Sequence, residues 1–224
     1  GWMFQARADQ VIESFRYADA KAAGAAWRGI PPAPPVQPAP NGLQFPCPFN
    51  GDTERVYWDR TVNLDLSSFT SFSLELTCDQ PEAVRTLAVY FRSGDGWYIW
   101  SKPLRSAGRQ RLVLHKQEFS VEGKPAGWGR IDRIRLSPWR GTPVNARLVA
   151  HSLSAQRDQV YVVQATISAP DATARGLAQR VTQRVSTWLR NTGVNHAVLT
   201  EDELLRQGIS GARVLLLPYN PQPP

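Results

Sequence analysis

Apolar and polar positions alternate with period two over most of the first two thirds of this chain and with helical period after that. Val62, Leu64 and Leu66 alternate with Asn63 and Asp65; Ile134 and Leu136 alternate with Arg133 and Arg135; Leu112 and Leu114 face one way. Antiparallel strands buried on one face have this pattern. From Arg55 to Ser154 such runs follow one another, separated by Gly, Pro, Ser and Asp clusters and with no helical pattern among them. They predict a mainly β fold, a jelly-roll or related β-sandwich. Ahead of them, Val11 to Tyr17 alternates like a strand and the alanine-rich stretch Ala20 to Trp27 reads as a helix. Residues Ile30 to Pro40 carry six prolines and are expected to form an extended surface loop.

Near Gln159 the period changes. Val160 to Ala165 is a continuous apolar run, as in a strand buried on both faces. A helix follows, with Asp171 as cap beside Pro170, an apolar stripe of Leu177, Val181, Val185, Trp188 and Leu189, and Gly193 just past its end. Next come His196 to Leu199, a capping-box pattern Thr200-Glu201-Asp202-Glu203 opening a helix to Leu205, and the strand Arg213 to Pro218. The order β-α-β-α-β opens a parallel, doubly wound sheet. Three strands and two short helices do not cover both faces of such a sheet, so this unit reads either as truncated or as docked on the sandwich, and Pro218 to Pro224 reads as the loop after a strand's carboxyl end, where ligands bind in that architecture. The expected domains are residues 9–157, the sandwich, and 158–224, a partial α/β domain.

The stretch Tyr90 to Trp100 holds Gly94-Asp95-Gly96 between two aromatic, β-branched runs, which predicts a β-hairpin turning at those three residues. With Arg92 opposite Trp97, Leu87, Val89, Phe91, Tyr98 and Trp100 share one face and Tyr90, Arg92, Trp97 and Ile99 the other. One face is core. The second is either a surface where rings stack on sugar C–H groups and guanidinium or carboxylate groups bond hydroxyls, or it is covered by a second layer. Trp128, in Pro125 to Gly129, and Trp139, in Ser137 to Gly141, place further rings near turns, where rings favour recognition; the alternative for each is to plug an end of the sandwich. The carbohydrate-binding candidates are Tyr90, Arg92, Asp95, Trp97, Trp128, Trp139 and Arg140. Trp27 and Trp58 lie on apolar patterns and are assigned to the core.

The 224 residues are 42% hydrophobic and 20% charged, enough for more than one small domain. A formal net charge of +7 points to nucleic acid only where basic residues cluster. Here Arg111, Arg133, Arg135 and Arg147 are scattered along strands and Arg175, Arg180, Arg184 and Arg190 along one helix, so a nucleic-acid partner is not expected. No apolar run reaches the roughly 18–20 residues that span a bilayer. Trp2 to Ala8 ends in a small-x-small pattern and reads as the remnant of a trimmed export signal, which places the protein in the periplasm or outside the cell. Cys47 and Cys78 both fall on the apolar parity of strands, which leaves two readings open, a disulfide across the core and a pair of buried free thiols. No CxxC or Cys/His spacing suggests structural zinc.

The middle of the chain resembles the galactose-binding-like jelly-rolls found as carbohydrate-binding modules beside bacterial glycoside hydrolases. The likeness rests on Phe15-Arg16-Tyr17 followed by Ala26-Trp27, on Trp58-Asp59-Arg60 running into Leu64-Asp65-Leu66-Ser67, on the aromatic stretch around Gly94, and on Gly127-Trp128 before Ile131-Asp132-Arg133-Ile134. The resemblance implies a non-catalytic sandwich with sugar contacts from loops or a sheet face and a structural calcium near the first strand, where Glu13 takes the matching position. Residues Val160 to Pro221 look like the start of a class I glutamine-amidotransferase-like, flavodoxin-like domain, including the catalytically silent versions fused to bacterial β-galactosidases. Active members of that family need a nucleophilic cysteine on a glycine-flanked elbow and a downstream histidine, and this sequence carries neither.

No nucleophile–base pair assembles from the sequence: His115, His151 and His196 lie in different elements, and no Gly-x-Ser-x-Gly elbow occurs. A glycosidase needs two carboxylates about 5–10 Å apart, and Asp95, Glu118, Glu122 and Asp132 all have ordinary loop or solvent-face readings. The function expected is a non-catalytic module of a secreted polysaccharide-processing protein. Its partners are a polysaccharide or oligosaccharide and further domains of the same protein, and structural calcium is the one cofactor considered. The alternative is a structural or assembly pair in a larger glycoside-hydrolase-like or amidotransferase-like protein whose catalytic part lies elsewhere.

Overall fold

The period-two segments pair into two antiparallel sheets whose apolar faces meet. In the computed structural model, which describes residues 10–104, 106–157, 160–192, 194, 196–207 and 214–219, the chain divides into two units, residues 1–156 and 157–224. The first contains β1 (Gln10–Glu13), α1 (Ala20–Ala26), β2 (Arg28–Ile30), β3 (Gln37–Ala39), β4 (Gly42–Cys47), β5 (Tyr57–Leu64), β6 (Ser71–Cys78), β7 (Val84–Lys102), β8 (Gly108–His115), β9 (Ser120–Pro125), β10 (Ile131–Arg140) and β11 (Ala146–Gln156). A six-stranded sheet has the order β3-β4-β11-β6-β8 with β1 also on β11; a five-stranded sheet has the order β2-β5-β10-β7-β9. The unit is a β-sandwich. Phe45, Leu74, Leu76, Leu148 and Leu153 from one sheet and Trp58, Leu87, Val89, Phe91, Ile134 and Leu136 from the other form one buried cluster with Trp27. Each such side chain contributes about 1.5–3 kcal/mol when fully buried.

Two expectations change here. The proline tract is not all loop: β2 and β3 lie within it or at its edge, pairing with β5 and β4. Both strands close a sheet, and a proline such as Pro38 on an outermost strand removes no ladder bond that a neighbour needs. The larger change is that Gly94-Asp95-Gly96 is not a hairpin turn. All three residues are ladder positions, facing Pro125, Lys124 and Gly123 of β9, while Arg92 faces Arg133 of β10. Gly94 has φ of 59°, a left-handed conformation that glycine adopts without strain. There the strand bends a corner and changes partner. Tyr90 and Trp97 are seven residues apart, a span of roughly 23 Å in a straight strand, yet their rings sit 5.8 Å apart. At Gly96 a Cβ would run into the backbone nitrogen of Pro125. The corner adds one residue to the alternation, so Leu87, Val89, Phe91 and Trp100 all reach the core and Tyr98 packs on it.

Cys47 and Cys78 are buried and free. Cys47 faces Ala146 and Cys78 faces Leu148 on opposite sides of β11. One intervening strand and the two-residue offset along it put them about 11–12 Å apart, beyond the roughly 7 Å Cα separation that a disulfide bridges. Burial, with smaller contributions from neighbouring negative charge, raises both thiols, Cys78 to about 11.

The buried Glu13 at the end of β1 ties the two sheets together. Its carboxylate accepts from Phe15 N–H (2.7 Å), Tyr17 O–H (2.8 Å) and Trp27 Nε1–H (3.3 Å) and pairs with Arg60 of β5. Arg60 in turn donates to the Tyr17 oxygen at 2.6 Å. These donors and the Arg60 charge occupy the carboxylate that the resemblance assigns to calcium. Among the described residues no group of three or more His, Cys, Asp or Glu side chains is placed to hold a metal ion.

The second unit contains β12 (Val160–Gln164), α2 (Ala172–Asn191), β13 (His196–Thr200), α3 (Glu201–Gln207) and β14 (Val214–Leu216), with a parallel sheet in the order β13-β12-β14. Val162 and Val163 of the central strand are fully buried. Asp171 caps α2 by accepting from Ala174 N–H at 2.8 Å. Thr200 and Glu203 form the reciprocal capping box, with bonds of 2.8 and 3.2 Å. The apolar stripe of α2 is rotated from the expected one: Ala178, Thr182, Ser186 and Leu189 are its buried positions, while Leu177 and Trp188 are exposed. Small residues take three of these four positions, and Leu189, with Val185 beside it, packs against Val160 and Val162. Glu201 is buried and accepts from three successive backbone N–H groups, Thr166, Ile167 and Ser168, at 2.7–2.8 Å. Burial alone would raise its pKa; the Ser168 hydroxyl and these N–H groups hold it below the ordinary value. The expected export remnant at Trp2 to Ala8, the helix-ending Gly193 and most of the terminal loop, Asn220 to Pro224, lie outside the described residues.

Two outcomes follow from this packing. A water-soluble aromatic disulfide reagent at neutral pH is expected to leave both thiols untouched in the native protein and to titrate both once concentrated guanidinium chloride unfolds it; prompt native reactivity contradicts their burial. Glu13→Gln keeps the side-chain volume but leaves the Arg60 charge unpaired. Because Arg60 retains 26% of its side-chain exposure, the expected loss is about 2–4 kcal/mol, read as a lower urea midpoint with unchanged slope.

Candidate functional site

Strand alternation also decides what the outer face of the five-stranded sheet displays. With Val56, Trp58, Ile134, Leu136, Leu87 and Val89 turned inward, the opposite parity sends Tyr57, Asp59, Arg133, Arg135, Ser137, Trp139, Ala88, Tyr90 and Arg92 outward. Register sets them in rows. Arg28, Asp59, Arg135 and Tyr90 line up across β2, β5, β10 and β7; Arg133 lies beside Arg92; Arg55, just before β5, bridges to Trp139.

These side chains interlock into a strip of alternating rings and guanidinium groups. The Arg55 guanidinium lies 4.6 Å from the Trp139 ring centre and 4.8 Å from that of Tyr57. Arg135 lies 4.2 Å from Tyr57 on one side and 4.5 Å from Trp97 on the other. The sequence along the strip is therefore Trp139, Arg55, Tyr57, Arg135, Trp97, with Tyr90 beside both arginines. Each cation–π contact is worth about 0.5–2 kcal/mol, more as it is desolvated. Arg55 is aimed by hydrogen bonds to Ser137 Oγ (2.7 Å) and the Tyr90 hydroxyl (3.2 Å). Arg135 forks onto Asp59, donating from Nε and Nη2 at 2.6 and 2.9 Å. Burial would lower the Arg135 pKa, but those bonds and the Asp59 charge raise it. Arg133 reaches the same carboxylate at 3.4 Å. Arg92 donates to Asp132 at 2.5 Å, and the other oxygen of Asp132 accepts from Gly94 N–H at 3.2 Å.

The strip is its own second layer: Ser137, Ala88 and Tyr90 beneath it are buried, while Arg55, Tyr57, Trp97, Trp139, Arg92, Arg133 and Arg135 are half-buried. Of the residues singled out from sequence, Tyr90, Trp97 and Trp139 belong to this strip, and Arg92 borders it. Trp128 stands elsewhere. It packs on the core against Phe72, Phe91 and Phe119, stacks on Tyr98 at 4.1 Å, and carries the Lys116 ammonium 4.7 Å from its ring centre. Burial pushes Lys116 down to about 8, against the pull of Asp65. Asp95 is exposed on β7 opposite Lys124, and Arg140 is drawn off to Glu54 and the Gly51 carbonyl. Glu118, one of the carboxylates weighed for catalysis, is taken up by Trp100 Nε1–H at 3.0 Å and Lys102 at 2.6 Å.

Sequence reading missed Arg55, Tyr57, Asp59, Arg133 and Arg135 as members of the site. The alternation of arginine with Ile134 and Leu136 does place Arg133 and Arg135 on an outer face. Their assembly with Tyr57 and Tyr90 depends on which strands flank β10, and nothing local in the sequence states that.

No protein-family model matches this chain, and no curated protein does. Among solved structures, the agarase AgWH50C matches with a TM-score of 0.51 and 9% identity over 66% of this chain and 24% of that one. PfGH50B matches with a TM-score of 0.48 and 15% identity over 62% and 23%. The family 11 carbohydrate-binding module from Clostridium thermocellum, solved with a β-1,3-1,4-mixed-linked tetrasaccharide, matches with a TM-score of 0.48 and 12% identity over 66% and 95%. The match thus spans about a quarter of the agarase's length. At this identity the likeness to the agarase is one of fold.

Asp59 anchors two of the guanidinium groups, so Asp59→Ala is expected to cost about 1–3 kcal/mol through unpaired buried charge. Thermal melting followed by circular dichroism measures it; an unchanged melting temperature contradicts the anchoring role. The five-stranded sheet of the sandwich carries this aromatic and arginine strip on its solvent side, on a fold shared with part of an agarase.

Proposed function

We propose that the chain is a non-catalytic carbohydrate-binding module of a secreted polysaccharide-processing protein and that the strip on the five-stranded sheet is its glycan site. The observation that carries the reading is the row Trp139, Arg55, Tyr57, Arg135, Trp97: half-exposed rings alternating with guanidinium groups that pack over them, on a rigid sheet. Amphipathic rings cover sugar C–H surface while fixed donors meet ring and hydroxyl oxygens, and a side chain already locked by its neighbours loses little entropy when a ligand lands. The presence of a like sandwich within an agarase supports the reading. Strands position four members of the row, and Arg55, just before β5, is held by its bridge to Trp139.

The role of each residue follows from its place. Trp97 and Trp139 end the row and flank whatever lies on it. Arg55 and Arg135 present donors between them. Tyr57 and Tyr90 space the guanidinium groups, and Asp59 holds Arg135 in its plane. A second reading, assembly with another protein or domain, is favoured by the second unit, where Trp188 is 61% and Leu205 66% exposed.

Affinity electrophoresis through gels cast with individual polysaccharides tests the first reading. Retardation by at least one of them is expected, with Trp97→Ala and Trp139→Ala each weakening it about tenfold or more, equivalent to roughly 1.4 kcal/mol. Trp188→Ala is expected to leave it unchanged. Retention by no polysaccharide, together with dimers in light scattering that Trp188→Ala dissociates, would favour assembly instead.

A further inference from the structure

Resting on the glycan reading above, we propose that the strip selects anionic polysaccharides, those bearing sulfate or uronate groups, and that Arg55 is the residue that meets the anion. The first ground is the balance of charge. The outer face gathers Arg28, Arg55, Arg92, Arg133 and Arg135 against Asp59 and Asp132, with Glu122 opposite Trp97 at the rim. The chain as a whole carries +7, so long-range attraction works in the same direction.

The second ground is the balance of donors and acceptors. Both oxygens of Asp59 already receive hydrogen bonds from Arg135, one of them also from Arg133, and both oxygens of Asp132 receive them from Arg92 and Gly94. A neutral sugar hydroxyl donates as well as accepts, and here three of the roughly four acceptor positions of Asp59 and two of those of Asp132 are already used. A sulfate or carboxylate only accepts. It matches a surface on which guanidinium N–H groups outnumber free acceptors, and guanidinium binds such groups with charge-assisted, two-point geometry.

Arg92, Arg133 and Arg135 each have a carboxylate partner. Among the described residues Arg28 and Arg55 have no carboxylate partner; Arg28 is exposed on the outermost strand, whereas Arg55 is half-buried, held by Ser137 and Tyr90, both neutral, and flanked by rings. Its charge is positioned and uncompensated. Nearby, Arg133 Nε is buried without a hydrogen-bond partner. The rings also argue against a purely stacking site, because Tyr57 lies between two guanidinium groups and offers its edge rather than an open face.

The test uses the full chain in affinity gels holding a sulfated galactan, polygalacturonate, unsubstituted agarose or mixed-linkage β-glucan, at low and at physiological salt. The expected result is retention by one or both anionic polymers, weakened as salt rises. Arg55→Gln should lower that affinity at least tenfold, and Arg92→Gln, at the border of the strip, less. Arg147→Gln removes the same charge from the other sheet, where Arg147 pairs with Asp79, and is expected to change affinity by less than twofold. Arg55→Lys keeps the charge but not the fork and should be intermediate. Melting curves confirm that each variant is folded; should Arg55→Gln unfold, the comparison of Arg92→Gln with Arg147→Gln decides. Retention by neutral polymers alone, or equal losses from Arg55→Gln and Arg147→Gln, overturns the anionic assignment and leaves the glycan reading standing. Retention by none of the four overturns the glycan reading itself.

Discussion

Burial of one face of each sheet is the constraint from which the rest of the sandwich follows. Once Trp58, Ile134, Leu136, Leu87 and Val89 point into the shared core, strand geometry leaves their neighbours no choice of side. A slip of one residue in β10 would bury Arg133 and Arg135 and expose Ile134 and Leu136. The core therefore orients the arginines, and the same apolar contacts that stabilise the fold aim the outer strip.

Charge inside and on the edge of this fold is handled in two ways. At Glu13 the carboxylate is nearly enclosed and is matched on every side, by Arg60, two aromatic polar groups and a backbone N–H. Such a group holds sheets in register and is costly to disturb. On the outer face the guanidinium groups are only partly matched. Asp59 accounts for Arg135 and Asp132 for Arg92, while Arg55 rests on neutral partners. A surplus that stays half-exposed is tolerable without a ligand because water reaches it, and it becomes an attraction when an acceptor-rich ligand arrives.

The corner at Gly94 links these two regions. A straight β7 would carry Trp97 away from Tyr90, and the strip would end at Arg135. The positive φ of one glycine bends the strand, moves its pairing from β10 to β9, and brings Trp97 back over Arg135. Glycine serves there as a joint between two lengths of strand rather than as the tip of a hairpin. In the second unit a comparable economy appears in α2, whose sheet-facing side is built from Ala178, Thr182 and Ser186 while Trp188 is left outside.

Much of this was legible in the residues themselves. Period-two alternation showed the strands and which of their faces is apolar, since each depends only on neighbours along the chain. Asp171 and the pair Thr200 and Glu203 announced their helix ends for the same reason: capping bonds form within three or four residues. The glycine-rich stretch at 94–96 was visible too, but a glycine with positive φ suits a turn and a strand corner equally, and only the partners across the sheet distinguish them. Cys47 and Cys78 shared the right parity for a bridge, and the intrusion of β11 between their strands, a matter of sheet order, keeps them apart. Strand order also decided the candidate site. Arg55, Tyr57, Tyr90, Trp97, Arg135 and Trp139 come from three chain segments distant in sequence, and their contact is a long-range consequence of how the sheet is assembled, which no local pattern encodes.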